Sequence, residues 1–228
     1  MTRFDPQPLA IMIDGVHSVS GLIWAPAQPR ACCVFAHGAG ADMNHPFMTA
    51  VATELAARNT ATLRFQFPYM DRGGRRPDPP KLAQATIRAA VTEAGRRLPG
   101  LSLIAGGKSF GGRMTSQAQA AASLPGVRGL VFLGFPLHPA KRPADERAKH
   151  LFDVRIPMLF LQGTRDPLAD VGLMRQTANR LGERATLHLI EGADHSFHVG
   201  ARSGRTDADV RGELADVLVA WVGRVISG

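Results

Sequence analysis

The sequence predicts an α/β architecture, a mostly parallel, doubly wound sheet preceded by an antiparallel N-terminal hairpin. Three observations carry this. Short, almost wholly apolar runs alternate with longer stretches of helical period, as in a parallel sheet covered on both faces. The chain has 228 residues, 45% of them apolar and 20% charged, enough for one large domain with a sizeable buried core. Most of the polar chemistry follows directly on the apolar runs, where the carboxyl ends of parallel strands would lie.

The elements follow in order. "LAIMID" and "HSVSGLIWAP" read as two short strands around Gly15, a hairpin. "ACCVFA", 31–36, is an unbroken apolar strand that ends in "HGAG". Pro46 to Arg58 carries Phe47, Val51 and Leu55 at a spacing of four, a helix with proline near its start. "ATLRFQF", 61–67, is the next strand, and 68–80, rich in Pro, Gly and Arg, reads as a loop. Lys81 to Leu98 is a helix and "LSLIA", 101–105, a strand that runs into "GGKSFGG". "RMTSQAQAAASL" is helical, and "GLVFLGFP", "PMLFLQG" and "ATLHLIEG" are three further strands. A short segment around 143–151 and a helix from about Leu168 to Leu181 lie between them. Asp207 to Ile226 closes the chain as a helix with Leu214, Leu218, Trp221 and Val225 on one stripe. Without an internal repeat or a low-complexity linker, 1–228 reads as a single domain.

Several function classes drop away. No run approaches the length of a membrane span, and the N-terminus lacks the apolar stretch of a signal peptide, so the default location is the cytoplasm. Cys32 and Cys33 are adjacent in an apolar strand, which reads as buried free thiols without metal-binding spacing. The net charge of +8 invites a nucleic-acid partner. The basic residues are nevertheless scattered, apart from Arg72, Arg75 and Arg76, and the excess of arginine over lysine suits a GC-rich coding sequence. There is no zinc-finger spacing, RNP motif or heptad, so neither nucleic acid nor membrane is expected as a partner. The pattern does not separate a monomer from a homodimer.

"GGKSFGG", 106–112, fits two incompatible motifs. A phosphate-binding P-loop needs its first glycine five residues before Gly107, but that residue is Ser102, inside the apolar strand. The alternative is G-x-S-x-G, a sharp strand-to-helix turn that exposes a serine, and strand, turn and helix are all present. Small residues are required there because the serine backbone is strained and its neighbours pack closely. A serine hydroxyl needs a base, and the base an orienting carboxylate, in the order Ser, Asp, His for this arrangement. Asp166 follows one apolar strand in "LQGTRDPL" and His195 follows the next in "GADHSF". His198, Asp170 and Asp194 are the competing residues; His37, His45 and His138 fall too early and suit structural capping. A developing oxyanion needs donors, which points to the amide of Phe110 and to Ala39, with Gly40 as the alternative, in the loop "HGAG".

"CVFAHGAGADMNHPF", "GGKSFGGRM", "LQGTRDPL" and "GADHSF" resemble the small α/β-hydrolases of the dienelactone-hydrolase-like branch, over roughly residues 10–226. The resemblance implies the α/β-hydrolase fold with Ser109 as nucleophile, Asp166 as acid member and His195 as base. Ser109 stands where dienelactone hydrolases proper carry cysteine. Some relatives of the group are subunits of larger assemblies, so a non-catalytic interaction protein is one alternative, and peptidase, thioesterase or transferase chemistry another. The leading expectation is a serine carboxylester hydrolase that takes a small-molecule acyl substrate without metal or organic cofactor. Only residues 138–156 are available for a lid, so the site should be open and shallow and suit short acyl esters or thioesters. Arg72, Arg75, Arg76, Lys108 and Arg113 are candidates for contact with an anionic group.

Overall fold

A computed structural model describes residues 5–227. Its centre is an eight-stranded sheet: β1 (Gln7–Met12), β2 (Ser18–Trp24), β3 (Ala31–Ala36), β4 (Ala61–Phe65), β5 (Ser102–Lys108), β6 (Val127–Leu133), β7 (Met158–Gly163) and β8 (Ala185–Ile190). The order across the sheet is β1-β2-β4-β3-β5-β6-β7-β8. β1 and β2 form the antiparallel hairpin and β2 meets β4 antiparallel; every later pairing is parallel. This is the α/β-hydrolase fold.

The helices are α1 (Pro46–Ala56), α2 (Pro68–Asp71), α3 (Pro80–Arg97), α4 (Phe110–Ala121), α5 (Val171–Leu181) and α6 (Asp207–Ser227). They cover both faces of the sheet. One apolar cluster joins Cys32, Val34 and Ala36 of β3 to Ile87 and Val91 of α3, Met114 of α4 and Met174 of α5. The other joins Ala31, Cys33 and Phe35 of the same strand to Val51 and Leu55 of α1 and Leu214, Leu218 and Trp221 of α6. The alternation of β3 between two buried faces explains why its sequence is apolar throughout. It also sends Cys32 and Cys33 to opposite sides of the sheet as free thiols, each 0% exposed.

Several elements differ from the sequence reading. The Pro- and Gly-rich stretch 68–80 contains α2, because proline at the first helical position starts a helix as readily as it starts a turn. β5 runs on through Gly106 and Gly107 to Lys108, and α4 starts at Phe110, three residues earlier than its pattern suggests. Between β6 and β7 the chain forms only a short 3-10 helix, Glu146–Asp153, so no lid domain covers the carboxyl edge of the sheet.

Candidate active site

The turn between β5 and α4 is set by close packing. A Cβ on Gly107 would lie 2.1 Å from the Ala36 carbonyl oxygen, and one on Gly111 would lie 2.4 Å from the same atom. Glycine at both positions lets β5 and α4 approach β3, which leaves Ser109 as the apex of a sharp bend. Its φ of 51° and ψ of −114° fall where non-glycine residues are rare. The side chain is thereby lifted out of the strand-and-helix packing, and the amide of Phe110, at the start of α4, has no acceptor within its helix.

His195 comes to this serine from the loop after β8. Its Nε2 lies 2.9 Å from Ser109 Oγ, and its Nδ1 lies 2.6 Å from Asp166 Oδ2. Asp166 follows β7 and is 6% exposed. Its Oδ1 accepts the amide of Leu168 at 2.8 Å, so the residue forms its own turn while its other oxygen faces the imidazole. Gln162, buried in β7, donates Nε2–H to the same Oδ2 at 2.5 Å. The three residues singled out from the sequence therefore form one hydrogen-bonded chain at the carboxyl edge of the sheet.

The competing residues take other places. Asp194 shapes the loop: its Oδ1 accepts the amides of Ser196 and His198, and a bridge between Ala193 and Val199 closes the loop around His195. Asp170 caps α5 through the amide of Leu173. His198 points away to Asp207, whose hydrogen bond raises the imidazole pKa. His37 is fully buried; it donates Nδ1–H to the Gly38 oxygen and accepts the Phe67 amide on Nε2, tying the "HGAG" loop to the loop after β4. Burial lowers its pKa and keeps the ring neutral. His138 likewise accepts the amide of Asp170 on Nε2, and His45 accepts the amide of Phe47 at the start of α1.

Ala39 lies with Gly38, Ala41, His45, Phe47 and Met48 around a cavity of about 180 Å³ that also exposes Ser109 and His195. Gly40 does not line it; nearby, burial raises the pKa of the Tyr69 hydroxyl, which has no hydrogen-bond partner. A larger depression of about 690 Å³ between α5 and β8 shares no residue with this cavity. Of the basic candidates, Arg72 is paired with Asp78, and Arg75 and Arg76 are exposed. Arg113 is half-buried, with its pKa lowered by burial and then by Arg147. Lys108 turns to the backbone of His195. Sequence reading missed Gln162 and the tie made by Lys108, because neither residue belongs to a spacing motif.

Among solved structures, the chain is similar to a serine hydrolase without lid from Xanthomonas campestris, with 22% identity, 97% of both chains covered and a TM-score of 0.75. It is also similar to a dienelactone hydrolase from Anabaena variabilis, with 19% identity, coverage of 98% of this chain and 99% of that one, and a TM-score of 0.80. A third is the esterase domain of a Rhodothermus marinus protein, with 17% identity, coverage of 97% and 99%, and a TM-score of 0.74. At these identities the likeness is one of fold. The family model described as "Alpha/beta hydrolase domain" matches residues 29–223, most of the sheet and every strand from β3 onward. The chain belongs to the alpha/beta hydrolase domain family.

Proposed function

We propose that the protein is a serine hydrolase that cleaves small carboxylic esters or thioesters through an acyl-enzyme, with Ser109 as nucleophile, His195 as base and Asp166 as its orienting acid. The observation that carries this reading is the continuous chain from Ser109 Oγ through the His195 ring to Asp166, at 2.9 and 2.6 Å. His195 Nε2 takes the Ser109 proton as Oγ bonds to the acyl carbon, and the carbonyl electrons move onto oxygen. The amides of Phe110 and Ala39 receive that oxyanion; Gly40 lies outside the cavity lining and is the weaker candidate. His195 then returns its proton to the leaving alcohol or thiol. Water, deprotonated by His195, attacks the acyl-enzyme; the acyl–Oγ bond breaks, His195 returns that proton to Ser109 Oγ and the acid is released. Asp166 holds the proton on Nδ1 and stabilises the imidazolium. The small, largely apolar cavity favours a short acyl group.

The test is labelling with a fluorophosphonate probe and mapping of the adduct. The expected result is one adduct, on Ser109, with Ser109→Ala abolishing both labelling and hydrolysis of p-nitrophenyl acetate, a loss on the order of 10⁴ to 10⁶ in kcat. A wild-type protein inert to the probe and to a panel of esters would rule the reading out.

A further inference from the structure

Lys108 is the residue before Ser109, and its half-buried side chain forms part of the wall of the candidate cavity. Its Nζ donates to the backbone oxygen of His195 at 2.5 Å and sits 5.3 Å from the centre of the Phe197 ring. We propose that Lys108 is a positioning residue: its ammonium clamps the loop that carries His195 to the end of β5, and so holds the imidazole against Ser109. The inference rests on the roles proposed above for Ser109 and His195.

Three features meet at this one contact. The first is a half-buried cation without a partner carboxylate in hydrogen-bond contact; Asp166 and Asp194 act on it only through space, and desolvation pushes its pKa down to about 8. The second is Phe197, which holds a left-handed φ of 63° that brings its ring beneath the ammonium. The third is Gly134, after β6, also left-handed at +72°. A Cβ there would lie 3.0 Å from Lys108 Nζ and 3.5 Å from the His195 ring, so a side chain at 134 would crowd both. An apolar side chain would fill the place of Lys108 at lower cost to the fold. The clamp instead fixes the main chain of the residue whose ring must meet Ser109, while Asp166 fixes the far nitrogen of that ring. Two anchors on one residue define the direction of Nε2.

The charge of Lys108 faces Asp166 in the loop after β7, and Asp194 and His195 in the loop after β8. His45, at the start of α1, lines the same cavity, and the turn after β6 brings Gly134 against the ammonium. The carboxylates favour the ammonium and burial opposes it. As pH rises through about 8 the proton is lost, the bond to the His195 oxygen loses its charge assistance and the ring contact its cation. Turnover should therefore fall on the alkaline side with that midpoint.

The experiment compares wild type, Lys108→Met, Lys108→Arg and Ser109→Ala for kcat and KM on p-nitrophenyl acetate from pH 6 to 10, together with Tm. Lys108→Met is expected to lower kcat by about ten- to a hundred-fold with KM changed less than about two-fold. Its alkaline limb should vanish, and its Tm should hold or rise. Lys108→Arg, charged throughout the range, should recover part of kcat and keep it at pH 10. Unchanged kcat in Lys108→Met would overturn the proposal, as would a change confined to KM. So would a Tm loss that tracks the activity loss without recovery in the arginine variant. Full activity in Ser109→Ala would overturn the site reading and the clamp with it. An inert Ser109→Ala beside an unimpaired Lys108→Met would leave the site reading standing and remove the clamp alone.

Discussion

At Asp166 a single oxygen, Oδ2, receives hydrogen bonds from His195 and from Gln162. In the proposed mechanism the second bond would support the carboxylate opposite the imidazole and fix the plane of the carboxyl group. Gln162 has an additional feature: its own Oε1 is buried without a partner. Gln162→Leu removes the donor and that unpaired acceptor together, so the two effects on stability offset. The expected outcome is a fall in kcat of about tenfold with KM and Tm nearly unchanged, read from steady-state kinetics and thermal melts. Asp166→Asn keeps the shape but frees the imidazole to take the wrong tautomer. A loss on the order of 10⁴ in kcat is expected, measured on the same ester.

Among the secondary-structure elements, α6 is seated by one large side chain. The ring of Trp221 lies over β6 where residue 129 is glycine; a Cβ there would come 2.6 Å from Trp221 Cη2. Gly129→Ala should lift α6 off the sheet and destabilise by about 1–3 kcal/mol. Trp221→Ala leaves a cavity instead, at about 3–5 kcal/mol. Urea unfolding of both variants checks these values, and neither residue lines the candidate site. At the end of α3, Glu93 is held at a pKa of about 2, first by its hydrogen bond to Arg96 and, against some desolvation, by Arg97. The folded value lies below the ordinary carboxylate value, so the contribution is complete above about pH 4.5 and is lost as pH falls toward 2. Glu93→Gln should therefore lower Tm at pH 6 and by much less at pH 2, in melts recorded at both.

Over the whole molecule, the carboxyl edge of the sheet is open, with a small cavity and only a short 3-10 helix where a lid could have been. Turnover of p-nitrophenyl esters should be greatest for acetate to butyrate, and kcat/KM should drop by about tenfold or more at octanoate, without activation at a lipid interface. The alternation of strands and helices was legible because each strand is a local apolar run, and Ser109 because its glycine neighbours mark a turn. Asp166 and His195 could be placed by order along the chain. What sequence hid was whatever depends on which loops face one another: Lys108 meets His195 across 87 positions, Gly134 matters only because both lie above it, and Gln162 reads as one more strand residue. The helix α2 was masked because its proline also signals a turn. One further consequence comes from β3. The chain's two cysteines are sealed on opposite faces of the sheet; burial takes the Cys32 thiol to about 12 and that of Cys33 well above its ordinary value. The native protein should therefore be silent to maleimide, and a cysteine engineered onto the His195 loop would then be the sole attachment point for a spectroscopic reporter of that loop's motion.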